Sequence, residues 1–242
     1  MPRPAPPTES GAAATTRYFD GCKASCSWSS NIAAPLAQGP VTSCGGPMAP
    51  GESQPTQSNS DAPNVCAGGG AGSGVAYGCM SESPFTVSSQ RYGFAAANLP
   101  CCQCYDLTFQ APSPVAGETM IVQVTNSGDD LGEKHFDLLI PGGGFGVFNG
   151  VTREGGRPPN GDPLFPDDVW GAQEGLWGQR YGGVSAGEDC ADLPAPAVTG
   201  CQWRFASEGL RGADNPAVTY TRVACPPELY KKSGCLLAED VQ

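Results

Sequence analysis

The sequence predicts a fold dominated by short β-strands, either a barrel or a sandwich. Glycine and proline account for 34 and 24 of the 242 residues, which favours turns and loops over long helices. Several short segments alternate apolar and polar residues, as half-buried strands do. Twelve cysteines are spread over most of the chain, and we expect them to tie down the long loops as disulfides.

Residue alternation locates the strands. Residues 104–109 and 120–125 both alternate, and the Pro- and Gly-rich stretch 111–117 between them predicts a hairpin loop. Further strands are predicted at 15–19, 136–140, 145–148, 203–205 and 218–223. Short helices are predicted within 85–97 and at 226–232, where prolines begin the segment and Gly234 follows it.

One domain is predicted, from residue 15 to residue 242. Residues 1–14 are rich in Pro, Ala, Ser and Thr, which indicates a disordered tail or linker remnant, and they contain no apolar core of a signal peptide. No apolar run approaches the roughly 20 residues that a membrane span needs, so no membrane partner is expected.

Charge and cysteine usage narrow the class of protein. A net charge of −11 repels phosphate backbones, so nucleic acid is not an expected partner. The even cysteine count predicts six disulfides in an oxidising compartment, and therefore a secreted protein. The competing interpretation is zinc binding by 101–104, but no second Cys-x-x-Cys pair follows at finger spacing and His135 is the only histidine. We expect no metal and no other cofactor.

An acidic stretch contains the first candidate functional residues. Asp129, Asp130, Glu133 and Asp137 lie close together, and the apolar run 136–140 carries Asp137 towards a buried setting. Burial and neighbouring like charges raise the pKa of a carboxyl, which a general acid needs near neutral pH. The alternative is a solvated acidic turn before a strand.

Two other chemistries are less well supported in the same region. The glycine run 142–146 lacks the Gly-Lys-Ser/Thr ending of a phosphate-binding loop, so it predicts close backbone packing or a tight turn. His135 has no Gly-x-Ser-x-Gly nucleophile to serve, and we expect it to be a structural hydrogen-bonding residue.

A second carboxylate, Asp20, follows a predicted strand and lies beside Tyr18, Phe19 and Trp28. Two carboxylates with aromatic neighbours are the groups that glycoside hydrolysis uses. The residues alone do not pair Asp20 with Asp137, which is 117 positions away.

Two long motifs resemble a known family. Residues 15–28 contain Thr-Thr-Arg-Tyr-Phe-Asp followed by Cys-Lys-x-x-Cys-x-Trp, and residues 128–144 contain Gly-Asp-Asp-Leu-Gly, His-Phe-Asp and Ile-Pro-Gly-Gly-Gly. Both are similar to the signatures of the family 45 glycoside hydrolases, which are secreted endoglucanases. Segments 101–105, 178–183 and 213–216 match the family in the same order, so the resemblance covers about residues 15–235.

The resemblance implies a six-stranded double-psi β-barrel with long disulfide-tied loops and a few short helices, as a single, monomeric catalytic domain. It implies that Asp20 is the general base, Asp137 the general acid and Asp130 an assisting carboxylate on a loop. The substrate would be a β-glucan such as cellulose. Family members invert the anomeric configuration, so the two carboxyls should stand about 6.5–9.5 Å apart. The implied disulfides are Cys22–Cys66, Cys26–Cys101, Cys44–Cys79, Cys102–Cys235, Cys104–Cys225 and Cys190–Cys201.

Aromatic residues are the candidates for substrate binding. The set comprises Tyr18, Phe19, Trp28, Trp170 and Tyr181. Phe19 replaces the tryptophan usual in the family, which implies a smaller stacking face. Segment 154–177 is longer than usual, and its tryptophans either extend the sugar-binding groove or pack the loop onto the barrel.

A different class of function shares this barrel. Expansin- and barwin-like proteins bind carbohydrate or loosen cell walls without hydrolysis, and expansins have the His-Phe-Asp motif but lack the counterpart of Asp20. The presence of Asp20 therefore favours the enzyme. A secreted disulfide-rich inhibitor would need neither carboxylate.

Overall fold

A computed structural model describes residues 9–44, 62–67, 76–128, 130–148, 150 and 177–241. The strands in this part are β1 (Ser10–Tyr18), β2 (Leu36–Gln38), β3 (Phe85–Val87), β4 (Gln90–Ala96), β5 (Cys104–Phe109), β6 (Thr119–Asn126), β7 (His135–Leu139), β8 (Val218–Val223) and β9 (Leu236–Leu237). The α-helices are α1 (Ala195–Phe205) and α2 (Pro227–Ser233). Neither helix has the length and apolarity needed to cross a lipid bilayer.

Six strands close into a barrel. Their order is β4-β6-β5-β8-β1-β7, and β7 pairs back onto β4. The pairs β1–β7 and β4–β6 are parallel and the other neighbours are antiparallel. Closure leaves no unpaired edge among these six strands. The predicted six-stranded barrel is therefore confirmed.

Apolar residues on the inner face of the strands fill the barrel. The rings of Tyr105, Phe136 and Tyr220 contact one another with centroids 5.4 to 5.7 Å apart. Leu107 and Leu138 are buried in the same cluster. Because side chains alternate along a strand, each buried residue leaves its neighbours free to face the surface.

The predicted hairpin and the second helix are confirmed. β5 pairs with β6 across the 111–117 loop, in antiparallel register. Helix α2 begins with proline and ends at Gly234, which adopts a left-handed conformation with φ of 76°. That conformation costs glycine least, so Gly234 ends the helix as predicted.

Three predicted elements are wrong. Residues 85–97 form β3 and β4 instead of a helix, because the backbone of β4 pairs with β6 and β7 and tertiary pairing outweighs local preference. Residues 203–205 are the last turn of α1, where Trp203 packs into the core, instead of a strand. Residues 145–148 form no strand, since the chain turns at Gly146 with φ of 66°.

The first strand also begins earlier than predicted. β1 starts at Ser10 and pairs over 10–13 with β8, so residues 10–14 belong to the barrel and not to a tail. Small residues such as Gly11 suit this pairing because the ring of Tyr220 lies against the strand there.

All six disulfides implied by the resemblance are present. They join Cys22–Cys66, Cys26–Cys101, Cys44–Cys79, Cys102–Cys235, Cys104–Cys225 and Cys190–Cys201. The pairs tie loops to the barrel across sequence separations of up to 133 residues. Such links stabilise a loop-rich fold by restricting the unfolded chain.

Candidate active site

Asp20 lies just beyond the end of β1 and is held by the backbone. Its Oδ1 accepts a hydrogen bond from the Cys22 amide at 2.9 Å. Its carbonyl accepts another from Gly150 at 2.6 Å. The Cys22–Cys66 disulfide anchors the same turn. The carboxylate of Asp20 is therefore fixed relative to the barrel.

Asp137 reaches the same region from β7. Phe136 and Leu138 are buried in the barrel, so Asp137 faces the other side of the strand. The parallel register of β1 and β7 places Thr16 opposite Asp137, and the Thr16 hydroxyl oxygen lies 2.6 Å from Asp137 Oδ1, within hydrogen-bonding distance. The pairing of β1 with β7 therefore brings Asp137 to the same region as Asp20, which follows β1.

The glycine run after β7 allows this close approach. A Cβ on Gly143 would lie 2.9 Å from the Tyr18 amide nitrogen, and Gly144 has φ of 97°. The Phe19 amide donates to the Gly144 carbonyl at 2.7 Å. Side chains here would push the loop away from β1. The predicted close backbone packing is therefore confirmed.

Two adjoining clefts form one groove over these residues. One is lined by Asp20, Asn126, Val147 and Phe148, among others. The other has a volume of about 490 Å³ and reaches Tyr181. Both clefts share Tyr18, Asp130, Leu131, Asp137 and Gly146. The structure therefore brings Asp20, Asp130 and Asp137 to a single groove.

Both central carboxyls are electrostatically perturbed. Burial and, to a smaller extent, the charge of Asp137 raise the pKa of Asp20 to about 7, against the opposing effect of the hydrogen bond from the Cys22 amide. Burial also raises the pKa of Asp137 to about 6, with Asp130 acting in the same direction. The hydrogen bond from Thr16 and the charge of Arg17 oppose that rise. Protonated carboxyls therefore persist in the groove close to neutral pH.

Tyr18 lines both clefts, and the charges of Asp20 and Asp137 both act on its hydroxyl. The Asn126 side-chain amide donates to the Tyr18 hydroxyl at 3.2 Å, and the Ser25 amide holds Asn126 in turn at 2.8 Å. Burial, and then the charge of Asp20, raise the pKa of Tyr18 well above its usual range. Tyr18 thus stays a neutral phenol at the groove floor.

Arg17 joins β1 to two loops beside the groove through side-chain hydrogen bonds. Its Nε donates to the Gly182 carbonyl at 3.0 Å, and one terminal nitrogen donates to Asn215 Oδ1 at 2.9 Å. The first bond ties β1 to the loop that carries Tyr181, and the second ties it to the loop before β8. The Tyr181 ring is 65% exposed and lines the groove. It is the predicted aromatic residue best placed to contact a ligand.

Two predicted aromatic contacts are corrected by the structure. Phe19 is 3% exposed and stacks on Trp177, with centroids 5.6 Å apart and planes at 10°. Trp177 is itself 1% exposed, so it packs against the barrel instead of extending the groove. Trp28 does not line either cleft, and the Lys23 ammonium lies 3.3 Å from its ring centroid. Trp170 lies outside the described residues.

Several groove residues were not identified from the sequence. Thr16 belongs to the first motif, and its two-residue spacing from Tyr18 could have placed both on one side of a strand. Asn126 and Arg17 gave no comparable signal, because their roles depend on partners more than 100 residues away.

Glu82 is a buried carboxyl whose charge acts on Tyr18. It is 1% exposed, and its Oε1 has no hydrogen-bond partner among the described residues. Burial raises its pKa to about 8 from an ordinary 4.5. The folded protein therefore keeps a proton that the unfolded chain releases above about pH 4.5. Stability falls as the pH rises from about 4.5 to about 8.

Glu82→Gln is expected to raise the free energy of unfolding at pH 8 by several kcal/mol, because an amide never ionises. At pH 4 the variant and the wild type should unfold alike, since Glu82 is then neutral in both states. Urea unfolding at the two pH values measures the difference. The exposed Glu188→Gln should change neither value, and an equal gain for Glu82→Gln at both pH values would contradict the prediction.

Comparison with known proteins identifies the family of this chain. The sequence pattern described as Glycosyl hydrolase family 45 matches residues 11–236. An endoglucanase from Cryptopygus antarcticus is 41% identical over 94% of this chain and 90% of its own length. A putative endoglucanase type K from Fusarium oxysporum is 40% identical over 96% of this chain, which spans 55% of that protein.

A solved structure is similar over nearly its full length. The crystal structure of a cellulase from the Antarctic springtail Cryptopygus antarcticus has a TM-score of 0.74 and 40% identity, and covers 95% of this chain and 99% of its own. Both sequence and fold are therefore similar over most of the chain. The chain belongs to glycosyl hydrolase family 45.

Proposed function

We propose that this protein is an endo-β-1,4-glucanase that hydrolyses internal bonds of cellulose or related β-glucans. The observation that carries the proposal is the convergence of Asp20, Asp130 and Asp137 on one open groove in a family 45 chain. The endoglucanase names of several relatives support the same substrate class.

In this proposal Asp137 is the general acid. It protonates the glycosidic oxygen as the bond to the leaving sugar breaks, and its raised pKa of about 6 helps it to retain a proton for that step. Asp130 assists by its negative charge, which raises the pKa of Asp137.

Asp20 is the general base, which takes a proton from the attacking water. The Cys22 amide holds its carboxylate in one orientation, so the water can be placed reproducibly. Because Asp20 and Asp137 repel each other, they titrate as a pair. The pKa values of about 7 for Asp20 and about 6 for Asp137 are too similar to assign the shared proton. The productive form has the proton on Asp137, and the family motifs around the two residues support that assignment over the reverse.

Water attack on the face opposite the leaving group inverts the anomeric carbon. NMR of freshly released products is the test: early spectra from a soluble β-glucan should show the α-anomer, which then mutarotates. Initial release of the β-anomer would contradict inversion. No product and no loss of viscosity would contradict hydrolysis altogether and favour a binding protein.

Tyr18 and Tyr181 are proposed to contact the sugar chain. Both line the larger cleft, and the exposed Tyr181 ring can cover the apolar face of a pyranose. We further propose that the protein is secreted as a monomer, and the six disulfides support an oxidising compartment.

A further inference from the structure

A three-residue hydrogen-bonded chain ends on Asp137. The Thr16 hydroxyl lies 2.7 Å from His135 Nε2 and 2.6 Å from Asp137 Oδ1. A hydroxyl has one proton, so Thr16 can donate to only one of these partners. The other partner must itself donate to Thr16.

The two possible directions leave the acidic proton in different places. If Thr16 donates to His135, then Asp137 must donate from Oδ1, and the carboxyl proton is used in the hydrogen bond to Thr16. If Thr16 donates to Oδ1, that oxygen is an acceptor and the proton of the neutral carboxyl resides on Oδ2. Only the second direction leaves the proton free for a glycosidic oxygen, and it requires an N–H at His135 Nε2.

We propose that His135 is a positioning residue for the general acid. Its Nε2–H donates to Thr16, which turns the threonine hydroxyl towards Asp137 Oδ1 and keeps the transferable proton on Oδ2. This inference rests on the proposed function of Asp137. During turnover the Oδ2 proton passes to the glycosidic oxygen, and Thr16 and His135 keep their own protons.

The strands hold the three residues in place. His135 and Asp137 are two residues apart on β7 and therefore share a face, and Thr16 is opposite Asp137 on the parallel strand β1. Ala96 of β4 pairs with Asp137 on the other side, and its methyl side chain carries no polar atom. The arrangement therefore needs no loop movement to form.

The surrounding charges suit a neutral donor. The ionisable groups that act electrostatically with Asp137 or share its hydrogen-bonded chain are Arg17 and Tyr18 on β1, Asp20 after it, and Asp130 and His135 around β7. Burial lowers the pKa of His135, and Asp130 opposes that shift only in part. A neutral imidazole can donate a hydrogen bond without adding a positive charge. A positive charge at His135 would favour the ionised form of Asp137 and so work against a proton donor.

The tautomer can be read directly, since His135 is the only histidine in the sequence. In tag-free protein with ¹⁵N-labelled histidine, the imidazole spectrum above the pKa of His135 should show a protonated Nε2 and an unprotonated Nδ1. In Thr16→Val the Nε2 proton should exchange faster with water, because its acceptor is gone. An unprotonated Nε2 in the wild type would overturn the proposal.

Kinetics test the consequence for the acid. Thr16→Val and His135→Leu are expected to lower kcat on cello-oligosaccharides about tenfold, with little change in KM. The loss is smaller than the roughly 10²–10⁴-fold that removal of the general acid itself would cause. Both should retain nearly full activity on a dinitrophenyl cello-oligoside, whose leaving group needs no proton. Thr16→Ser and His135→Gln, which keep a hydroxyl and an N–H donor, should restore most of the loss.

Thr15→Val is the matched control. The buried Thr15 hydroxyl donates to the Pro216 carbonyl at 2.6 Å and does not contact Asp137. Its loss should lower stability without changing the ratio of activities on the two substrates. Equal losses on both substrates for Thr16→Val would overturn the positioning role. A wild type without any hydrolysis would instead refute the proposed function, and the tautomer measurement would still stand on its own.

Discussion

Replacing Asp20 by alanine is expected to lower kcat on carboxymethyl cellulose by roughly 10²–10⁴-fold with little change in KM. Without the carboxylate nothing accepts the proton of the attacking water, and the loss arises in the transition state only. Asp20→Asn should be nearly as inactive, although an amide oxygen can still accept the hydrogen bond from Cys22. Reducing-sugar release under saturating substrate measures both variants.

The loss in Asp20→Ala should not depend on the leaving group, because water attack is needed for every substrate. The exposed Asp192→Asn is a suitable control, since Asp192 lies outside the groove. Thermal unfolding of each variant checks that the fold is retained. If a folded Asp20→Ala protein kept full activity, Asp20 would not be the general base.

Replacing Asp137 by alanine is expected to have an equally large effect on cellulose, roughly 10²–10⁴-fold in kcat, but a small one on a dinitrophenyl cello-oligoside. A sugar leaving group needs protonation, whereas dinitrophenolate leaves as a stable anion. The contrast between the two substrates therefore identifies the acid. Steady-state rates on both, for the wild type and both aspartate variants, measure it.

The pH dependence of the residual activity gives a second readout for Asp137. In the wild type, activity should fall at alkaline pH as the pair loses its last proton, since the pKa values of Asp137 and Asp20 are raised to about 6 and about 7. On the dinitrophenyl substrate, Asp137→Ala should lack this alkaline fall. If Asp20→Ala, and not Asp137→Ala, lost activity on cellulose but kept it on the dinitrophenyl substrate, Asp20 would be the acid and Asp137 the base.

Local sequence patterns predict several strands of the barrel correctly. The strands at 104–109 and 218–223 are predicted with the bounds that the structure shows, because polar and apolar residues alternate over most of each segment. The segment 85–97 was misjudged, since its turn is made by Ser88 and Ser89 at positive φ, which serine seldom adopts. Gly11 and its alanine neighbours in β1 carry no strand signal of their own and are ordered by pairing with β8.

The aromatic residues show where reasoning from sequence fails. Phe19 and Tyr181 both flank motif residues, but one is buried against Trp177 and the other is largely exposed over the groove. Chemical type alone does not distinguish a core ring from a binding ring. The difference depends on which segment packs above each ring.

Local sequence patterns predict the class of protein: a loop-rich, disulfide-tied β-fold with two aspartates in motifs that resemble family 45 glycoside hydrolases. The three-dimensional fold shows that Asp20, Asp130 and Asp137 share a groove, and that Thr16 links His135 to Asp137. Motifs and alternation are local, whereas these contacts depend on the parallel pairing of β1 with β7, which begin 125 residues apart in the chain. Strand register, which no local pattern specifies across such a distance, places each side chain within hydrogen-bonding reach.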